Sequence, residues 1–333
     1  MNNYKVLITG GCGFLGHHLV EYIYKNTNWD IIVIDKLTYA SFGFKRFEKS
    51  EILTSKRFRI FTWDLSHKLS SGMVLELGKV DYILHLGAET HVDNSINDPV
   101  SVIYNNVMST VNLLEYAREI KDTLKTFLYF STDEVYGVAH EGTSYSENDP
   151  QNPKNPYSAS KSASEMICIS YENTYKIPLM ISNTVNIIGE RQCVEKFIPK
   201  VIRAVRDNQL VEIHSNPDCS KAGSRFYIHA QNVSSAILFI LEHGTLGQRY
   251  NITSGVEYDN LEIAQKIAAH MNKELKFKFV NFHEDRPGHD LRYDLNGNKL
   301  RELGWVQEIG FEESLKQTID WTLDNQEWLN LTI

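Results

Sequence analysis

The chain has 333 residues, with 34 Lys and Arg against 42 Asp and Glu and a formal net charge of -8. Hydrophobic residues make up 42% and charged residues 23%, which is typical of a folded globular protein and excludes a disordered one. The acidic balance disfavours a nucleic-acid-binding protein or a binder of anionic membranes, because neutralising phosphates requires a basic face.

Short apolar runs alternate with amphipathic stretches in the first half of the chain. Buried parallel strands are predicted where Val, Ile, Leu and aromatic residues are nearly continuous, at residues 4–9, 30–35, 58–63, 80–87 and 126–131. Helical periodicity occurs at residues 14–25, 100–120 and 157–175, and another strand is predicted at 179–184. The alternation predicts an α/β protein with a Rossmann-type, doubly wound parallel sheet over residues 1–190.

The pattern becomes less regular after residue 190. Helices are predicted at residues 195–206, 231–242, 260–271 and 311–325, and residues 214–223 are predicted to form an exposed, turn-rich loop. Residues 191–333 are therefore expected to form mainly a smaller mixed α/β substrate-binding lobe, with some segments returning to the Rossmann domain. This lobe should face the carboxyl ends of the strands, where sheets of this kind bind ligands.

The first predicted strand runs into a glycine-rich turn, GGCGFLG at residues 10–16, and a helix begins at once. Gly10, Gly13 and Gly16 have the spacing G-x-x-G-x-x-G, which lets backbone N–H groups approach a pyrophosphate at a helix N-terminus. Asp35 follows 19 residues after Gly16, at the end of the second strand. An ordinary βα turn is the alternative, but the whole context is the one that dinucleotide binding requires.

Asp35 indicates which dinucleotide is bound. Its carboxylate would accept hydrogen bonds from the adenosine ribose hydroxyls and repel a 2′-phosphate, which favours NAD over NADP. A strand-end turn carboxylate is the alternative interpretation of Asp35, and Lys36 beside it would soften the exclusion of NADP. Asp64 and Leu65, just after the third strand, are candidate adenine contacts.

A tyrosine and a lysine, Tyr157 and Lys161, are four residues apart in the third predicted helix. This spacing places both side chains on one helix face, where the ammonium group favours the phenolate and lowers a tyrosine pKa that is about 10 when unperturbed. A phenolate can take a hydroxyl proton while hydride leaves the same carbon for nicotinamide. A solvated helix face is the alternative, but the glycine-rich turn upstream favours the catalytic interpretation.

Two adjacent carboxylates, Asp133 and Glu134, follow the fifth predicted strand in the segment STDEVYG at residues 131–137. A charged junction between strand and loop is the alternative interpretation. In company with Tyr157 and Lys161, the pair indicates an acid and a base, since neighbouring carboxylates tend to hold different pKa values and one can stay protonated while the other ionises.

These segments together resemble the extended short-chain dehydrogenase/reductase family, and within it the nucleotide-sugar 4,6-dehydratases of the dTDP-glucose 4,6-dehydratase type. The resemblance covers nearly the whole chain. It rests on the glycine-rich turn, DKLTYA at 35–40, HLGAETHVD at 85–93, STDEVYG at 131–137, YSASK at 157–161, EKFIP at 195–199 and DRPGHD at 285–290. The Asp-Glu pair is the most discriminating element, because related epimerases usually lack it.

The resemblance implies a catalytic role for each of five residues. Tyr157, assisted by Lys161 and Thr132, takes the proton of the sugar 4-hydroxyl as NAD accepts the C4 hydride. Glu134 then removes the C5 proton, Asp133 protonates the departing C6 hydroxyl, and the hydride returns to C6. The enzyme would thus be a lyase that forms a 4-keto-6-deoxy sugar nucleotide and regenerates NAD.

The resemblance also implies which residues bind the two ligands. The cofactor-binding residues are Gly10, Gly13, Phe14, Leu15, Gly16, Asp35, Lys36, Asp64, Leu65, Tyr157 and Lys161. The substrate-binding residues are His91, Asn186, Lys196, Arg225, Asn251, Arg286 and His289. Arginine suits a diphosphate because its planar fork binds phosphate oxygens bidentately.

Three segments depart from the family pattern. Ser41-Phe42-Gly43 replaces the usual Gly-Asn, Glu190 stands in place of Pro after Gly189, and the segment before Arg225 is longer. These departures lie mostly around the expected substrate, so they bear on the nucleotide and the sugar more than on the reaction type. The substrate is predicted to be dTDP-glucose or UDP-glucose.

Two other functions remain open. One is a nucleotide-sugar 4-epimerase or decarboxylase of the same family, against which the Asp133-Glu134 pair argues. The other is a catalytically silent NAD-binding sensor or scaffold, against which the intact Tyr157 and Lys161 argue.

The remaining expectations concern environment and partners. Four cysteines without a C-x-x-C pair predict neither a disulfide scaffold nor a zinc site, so no metal is expected. No signal-peptide pattern and no apolar run of about 18 residues is found, and a cytoplasmic protein without membrane or nucleic-acid partners is predicted. A homodimer formed through the helices near residues 100–120 and 157–175 is a further expectation from the family.

Overall fold

The computed structural model describes residues 3–281 and 291–331, so Arg286 and His289 lie outside the described residues. In this part of the chain the largest element is a seven-stranded sheet in which every neighbouring pair is parallel. Its strands are β1 (Lys5–Thr9), β2 (Asp30–Asp35), β3 (Phe58–Thr62), β4 (Tyr82–His85), β5 (Thr126–Thr132), β6 (Leu179–Thr184) and β10 (Arg249–Ile252). Their spatial order is β3-β2-β1-β4-β5-β6-β10.

Helices cover both faces of this sheet. The helices in the described part of the chain, including those of the smaller lobe, are α1 (Phe14–Asn26), α2 (Ser71–Leu77), α3 (Val92–Asn97), α4 (Pro99–Glu119), α5 (Pro156–Tyr175), α6 (Phe197–Arg206), α7 (Ala230–His243), α8 (Asn260–His270), α9 (Asn298–Glu302) and α10 (Phe311–Asp324). Successive strand residues point to opposite faces, so Val6 packs in the layer of α1 and α7 while Leu7 packs in the layer of α4. Both faces are therefore buried, and the strands have nearly continuous apolar sequences.

The longest helices begin at sequence signals. At α4, Asp98 Oδ1 accepts from Ser101 N at 3.1 Å and Pro99 occupies the first turn. At α5, Asn155 Oδ1 accepts from Ser158 N at 2.8 Å, and Ser158 Oγ lies within hydrogen-bond distance of Asn155 N, which forms a capping box. The cap at Asn155 fixes where α5 begins and hence the position of Tyr157 in its first turn.

A smaller mixed lobe lies beyond the carboxyl edge of the sheet. Its strands are β7 (Asn186–Ile188), β8 (Val211–Ser215), β9 (Ser224–His229), β11 (Glu257–Asp259) and β12 (Phe277–Asn281). In it β9 pairs parallel with β7 and antiparallel with β11, and β8 pairs parallel with β12. Helices α6, α8 and α10 pack on these strands around Ile202, Ile267 and Ile319.

The predicted fold class, a Rossmann-type parallel sheet with a smaller mixed lobe, is confirmed. The predicted strand at residues 80–87 is shorter in the structure, because Gly87 leaves the sheet to pass the turn at Gly10. Helices α2, α3 and α9 and strand β10 are not predicted by the sequence. Strand β10 is only Arg-Tyr-Asn-Ile, and four residues are too few for their polar and apolar alternation to be distinctive. The division of domains at residue 190 stays a prediction.

Candidate active site

The turn after β1 forms one end of a cavity of about 380 Å³ at the carboxyl edge of the sheet. Gly10 has φ of +68°, and a Cβ there would lie 2.7 Å from Gly87 Cα. A Cβ on Gly16 would lie 2.1 Å from Gly10 O, so α1 packs directly against the turn. Helix α1 has no side-chain cap at Gly13, which leaves its positive N-terminal end for an anionic group. The residues around this turn that line the cavity are Gly10, Gly13, Phe14, Leu15 and Gly16.

Asp35 closes the same end of the cavity from the tip of β2. Its Oδ2 accepts from Cys12 N at 3.0 Å and its Oδ1 from Leu37 N at 2.8 Å, which leaves a lone pair on each oxygen for further donors. Burial raises the pKa of Asp35, whereas the two backbone N–H groups and the charge of Arg46 oppose this rise. Lys36, Asp64 and Leu65 line the cavity beside it, and Lys36 Nζ donates to Asn105 Oδ1 at 2.6 Å.

Arg46 also lines this end and was not predicted. It is 2% exposed, its Nη1 donates to Cys12 O, Ala40 O and Ser41 O, and its Nε donates to Arg191 O. Cys12 is thus held at its N–H by Asp35 and at its carbonyl by Arg46. No spacing in the sequence indicates this contact, because the carbonyls come from three separate segments.

Tyr157 and Lys161 line the same cavity near its other end. They are 7% and 4% exposed, and Lys161 Nζ donates to Phe130 O at 2.7 Å. Burial lowers the pKa of Lys161 to about 8. Burial and the negative charges of Glu134 and Asp133 raise the pKa of Tyr157, and a hydrogen bond with Thr132 opposes the rise. The predicted lowering of the Tyr157 pKa is therefore wrong for the side chains together, because burial and the two carboxylates raise this pKa overall.

Asp133 and Glu134 line the same cavity as Tyr157 and lie in a 3-10 turn at the end of β5. Thr132 Oγ1 donates to Asp133 Oδ1 at 3.0 Å, and Asn155 Nδ2 donates to Glu134 Oε2 at 3.1 Å. Burial, reinforced by the charge of Glu134, raises the pKa of Asp133 to about 7. Asp133 can therefore hold a proton near neutral pH and release it on demand.

A second cavity continues from the first into the smaller lobe. Glu134, Asn186 and Lys196 line both cavities, and His91 and Arg225 line the second alone. Arg225 is 7% exposed, and its Nη1 donates to Ser224 O at 2.7 Å and Leu291 O at 2.5 Å. Lys196 stands at the N-terminus of α6. Cationic and amide side chains thus converge on this cavity.

Asn251 is the predicted substrate-binding residue that the structure contradicts. It is fully buried in β10, and its Nδ2 donates to Tyr145 O at 3.0 Å and Asn296 O at 3.2 Å. It lines neither of the two cavities described above. The side chain joins three segments of backbone, so we assign it a structural position.

Glu190, which stands where the family pattern has Pro, anchors the loop that follows β7. Its Oε2 lies 3.3 Å from His229 Nε2, while His229 Nδ1 accepts from Gln231 N, which places the ring proton on the nitrogen facing Glu190. The backbone carbonyl of Glu190 lies 3.0 Å from His18 Nε2 on α1. These contacts hold the loop that leads to Lys196 against α1 and α7.

Comparisons with known proteins agree with this geometry. The family model described as GDP-mannose 4,6 dehydratase matches residues 7–318. A dTDP-D-glucose 4,6-dehydratase of Dictyostelium discoideum is 34% identical over 99% of this chain and 84% of its own. DesIV, a dTDP-glucose 4,6-dehydratase from Streptomyces venezuelae solved with NAD bound, has a TM-score of 0.89 and 31% identity, covering 98% of this chain and 100% of that one. The UDP-glucose 4-epimerase of Thermus thermophilus, in complex with NAD, has a TM-score of 0.83 and 26% identity, covering 95% and 98%.

Proposed function

Because this chain belongs to the nucleotide-sugar 4,6-dehydratases of the extended short-chain dehydrogenase/reductase family, we propose the following reaction and residue roles. The enzyme dehydrates a nucleotide-activated glucose, most simply dTDP-glucose or UDP-glucose, to the 4-keto-6-deoxy sugar nucleotide. The observation that carries the residue assignment is the position of Glu134, which lines both the cofactor cavity and the second cavity, next to Asp133 in the first.

The first cavity fits NAD. The turn at Gly10 and Gly16 is a cradle that a Cβ would fill, and Asp35 at the same end of the cavity retains acceptor capacity for ribose hydroxyls. When bound, NAD supplies the hydride acceptor for C4, a positive charge, and the hydride that returns to C6. The chain supplies everything else: orientation, proton transfer and exclusion of water.

Tyr157 is proposed to take the 4-hydroxyl proton, with Thr132 and Lys161 as its supports. The Thr132 hydroxyl favours the phenolate of Tyr157. Lys161 lies one helical turn after Tyr157, and its ammonium donates to Phe130 O. Since Asp133 and Glu134 disfavour the phenolate, Tyr157 serves as a base only when their charges are offset. A protonated Asp133 reduces that opposition.

Glu134 and Asp133 are proposed to divide the elimination between them. Oxidation at C4 makes the C5 hydrogen acidic, and the carboxylate of Glu134, oriented by Asn155, removes it. Asp133 gives its proton to the C6 hydroxyl, which leaves as water. Glu134 then returns its proton to C5, and Asp133 regains, through solvent, the proton that Tyr157 took from the 4-hydroxyl. The raised pKa of Asp133 suits the role of acid.

The second cavity is proposed to hold the nucleotide and diphosphate. Arg225 and Lys196 provide positive charge there, and Asn186 and His91 provide hydrogen-bonding groups. Arg286 and His289 stay predicted members of this set. Catalysis at the junction then requires the hexose to lie beside Glu134, with the diphosphate directed into the smaller lobe.

The test is to incubate the purified protein separately with dTDP-glucose, UDP-glucose, CDP-glucose, GDP-mannose and UDP-GlcNAc. Mass spectrometry of the products should show loss of one water from a glucose nucleotide. A product of unchanged mass and inverted C4 would indicate an epimerase. Loss of carbon dioxide from a nucleotide uronic acid, tested as a sixth substrate, would indicate a decarboxylase. An absence of product from every nucleotide hexose would support the silent NAD-binding protein.

We also propose that two copies of the chain pair through α4 and α5. These helices pack side by side, and their outer surface exposes Val100, Ile103, Tyr104 and Met166. Light scattering after size exclusion should give a dimer that Ile103→Glu weakens, and a monomeric wild type would contradict the proposal. A cytoplasmic location stays a prediction. No helix in the described ranges combines the length and apolarity needed to cross a membrane.

A further inference from the structure

A fully buried carboxylate lies one helical turn behind the proposed catalytic lysine. Glu165 is 0% exposed and follows Lys161 by four residues on α5, as Lys161 follows Tyr157. The three side chains therefore share one face of the helix. Burying a carboxylate costs free energy unless it is paired with a cation and hydrogen-bonded. The partners of Glu165 therefore identify the groups with which it interacts.

Three donors hold the carboxylate of Glu165. Asn183 Nδ2 donates to Oε1 at 2.9 Å, Gln151 Nε2 donates to Oε2 at 2.6 Å, and Arg249 Nε donates to Oε2 at 3.1 Å. Arg249 comes from β10, a strand contributed by the second half of the chain. Glu165 thus contacts one cation, Arg249, directly and lies one helical turn from a second, Lys161.

The hydrogen bonds around Glu165 also extend to Thr132 in the proposed active site. Asn183 Nδ2 donates to Thr132 O at 3.2 Å as well as to Glu165. Thr132 in turn donates its hydroxyl to Asp133. The Asn183 amide therefore connects the Glu165 carboxylate to Thr132, whose hydroxyl contacts Asp133.

The groups around Lys161 leave Glu165 as its main electrostatic support. From β5, Phe130 O accepts from the ammonium at 2.7 Å and the ring of Tyr129 lies 4.3 Å from Nζ. From β4, His85 is neutral, since burial and then Lys161 lower its pKa to about 3. Cys168 on α5 is neutral as well, because burial raises its pKa. Burial disfavours the ammonium form of Lys161, and Glu165 is the strongest opposing influence.

The groups facing Glu165 are likewise few. Besides its three donors and Lys161, the phenols of Tyr129 and Tyr136 lie near it, and burial and the carboxylate keep both phenols protonated. Arg249 is therefore the cation that competes with Lys161 for the carboxylate.

We propose that Glu165 is a positioning residue that keeps Lys161 protonated during C4 oxidation, and that Arg249 limits how strongly it does so. The proposal rests on the assignment of Tyr157 and Lys161 to the oxidation step. A neutral Lys161 would no longer favour the phenolate of Tyr157, so oxidation would fail at the pH where Lys161 loses its proton. Glu165 sets that pH without touching the substrate.

The test compares Glu165→Gln with Arg249→Gln, because the proposal predicts opposite shifts. The measurement is the pH dependence of kcat/KM together with an NMR titration of the lysine ε carbons, with the Lys161 signal assigned by its loss in Lys161→Met. Glu165→Gln should move the alkaline limit to lower pH by about 1 unit. Activity should then fall about fivefold at pH 8 and little at pH 6, the loss expected for a one-unit shift of a group that titrates near pH 8. Arg249→Gln should move the same limit to higher pH.

Glu165→Asp is the matched control, since it retains the charge and should retain the wild-type pH limit even if kcat falls. A purely structural carboxylate would lower activity in all variants alike and leave the pH limit unchanged, which would overturn the proposal. If Glu165→Gln does not fold, the absence of an upward shift in Arg249→Gln would overturn it as well. The NMR titration needs no turnover. A wild-type protein that fails to release water from any substrate would therefore contradict the dehydratase assignment, while the effect of Glu165 on Lys161 could still be measured.

Discussion

The cofactor end of the first cavity and the second cavity are built by different parts of the chain. At the cofactor end, the turn after β1 and Asp35 at the end of β2 come from the first 35 residues, and backbone groups do most of the work. In the second cavity, His91 comes from the N-terminus of α3, Lys196 from that of α6 and Arg225 from β9. Recognition by backbone geometry leaves a spacing in the sequence, whereas recognition by scattered side chains leaves only isolated polar residues.

The largest expected effect lies where the two cavities meet. Glu134→Gln should leave Tyr157, Lys161 and the cofactor end in place, so C4 oxidation continues while loss of the C5 base slows elimination by about 10²–10⁴. Mixing the variant with substrate should build up absorbance of reduced nicotinamide with little keto product. In heavy water, the wild-type product should carry deuterium at C5.

The matched control for Glu134→Gln is Glu141→Gln, whose side chain is 95% exposed and remote from both cavities. The control should turn over at the wild-type rate. A Glu134→Gln enzyme with wild-type turnover would show that another group is the base and would remove the main support for the residue assignment.

Asp133→Asn should slow elimination by about 10²-fold or more, through loss of the acid, and it should also change stability in a pH-dependent way. The pKa of Asp133 is raised in the folded state to about 7, so its protonated form stabilises the fold at low pH and this contribution is lost as the pH rises through 7. The Tm of Asp133→Asn relative to that of the wild type should therefore rise between pH 4 and pH 8. The rise should be about 2–4 °C for each kcal/mol of stability that the wild type loses. A constant difference in Tm across this range would contradict the raised pKa.

The fold and the cofactor end could be predicted because their signals are local. The glycine spacing, Asp35 and the strand patterns each occupy a few consecutive residues, and the structure places the predicted cofactor residues around one cavity. Arg46 and Glu165 could not be predicted, since the carbonyls, amides and charges that define them come from distant segments. Asn251 was assigned to substrate by resemblance, but its amide bonds backbone carbonyls in the interior.

A smaller effect is expected at the cofactor end alone. Asp35→Ala should weaken NAD binding and relax the preference over NADP, by about 1.5–3 kcal/mol for each charged hydrogen bond lost. Substrate affinity measured with saturating NAD should stay close to that of the wild type. Asp64→Ala is the control, because Asp64 lines the same cavity beside Asp35 but is predicted to contact the adenine and not the ribose. An unchanged ratio of NAD to NADP affinity in Asp35→Ala would exclude Asp35 as the selector.

The smallest effect should fall on the second cavity and leave the cofactor end untouched. Arg225 lines the second cavity, and a lysine there cannot reproduce the planar, multiple-donor geometry of the guanidinium. Arg225→Lys should therefore raise KM about tenfold, the worth of one charged hydrogen bond, with kcat and retained NAD nearly unchanged. Arg286→Ala should act in the same direction if that residue joins the set. Asn251→Ser provides the contrast, because it should lower Tm without changing KM. Loss of NAD from Arg225→Lys, or a raised KM in Asn251→Ser, would show that the two cavities do not divide cofactor from substrate in the way their construction implies.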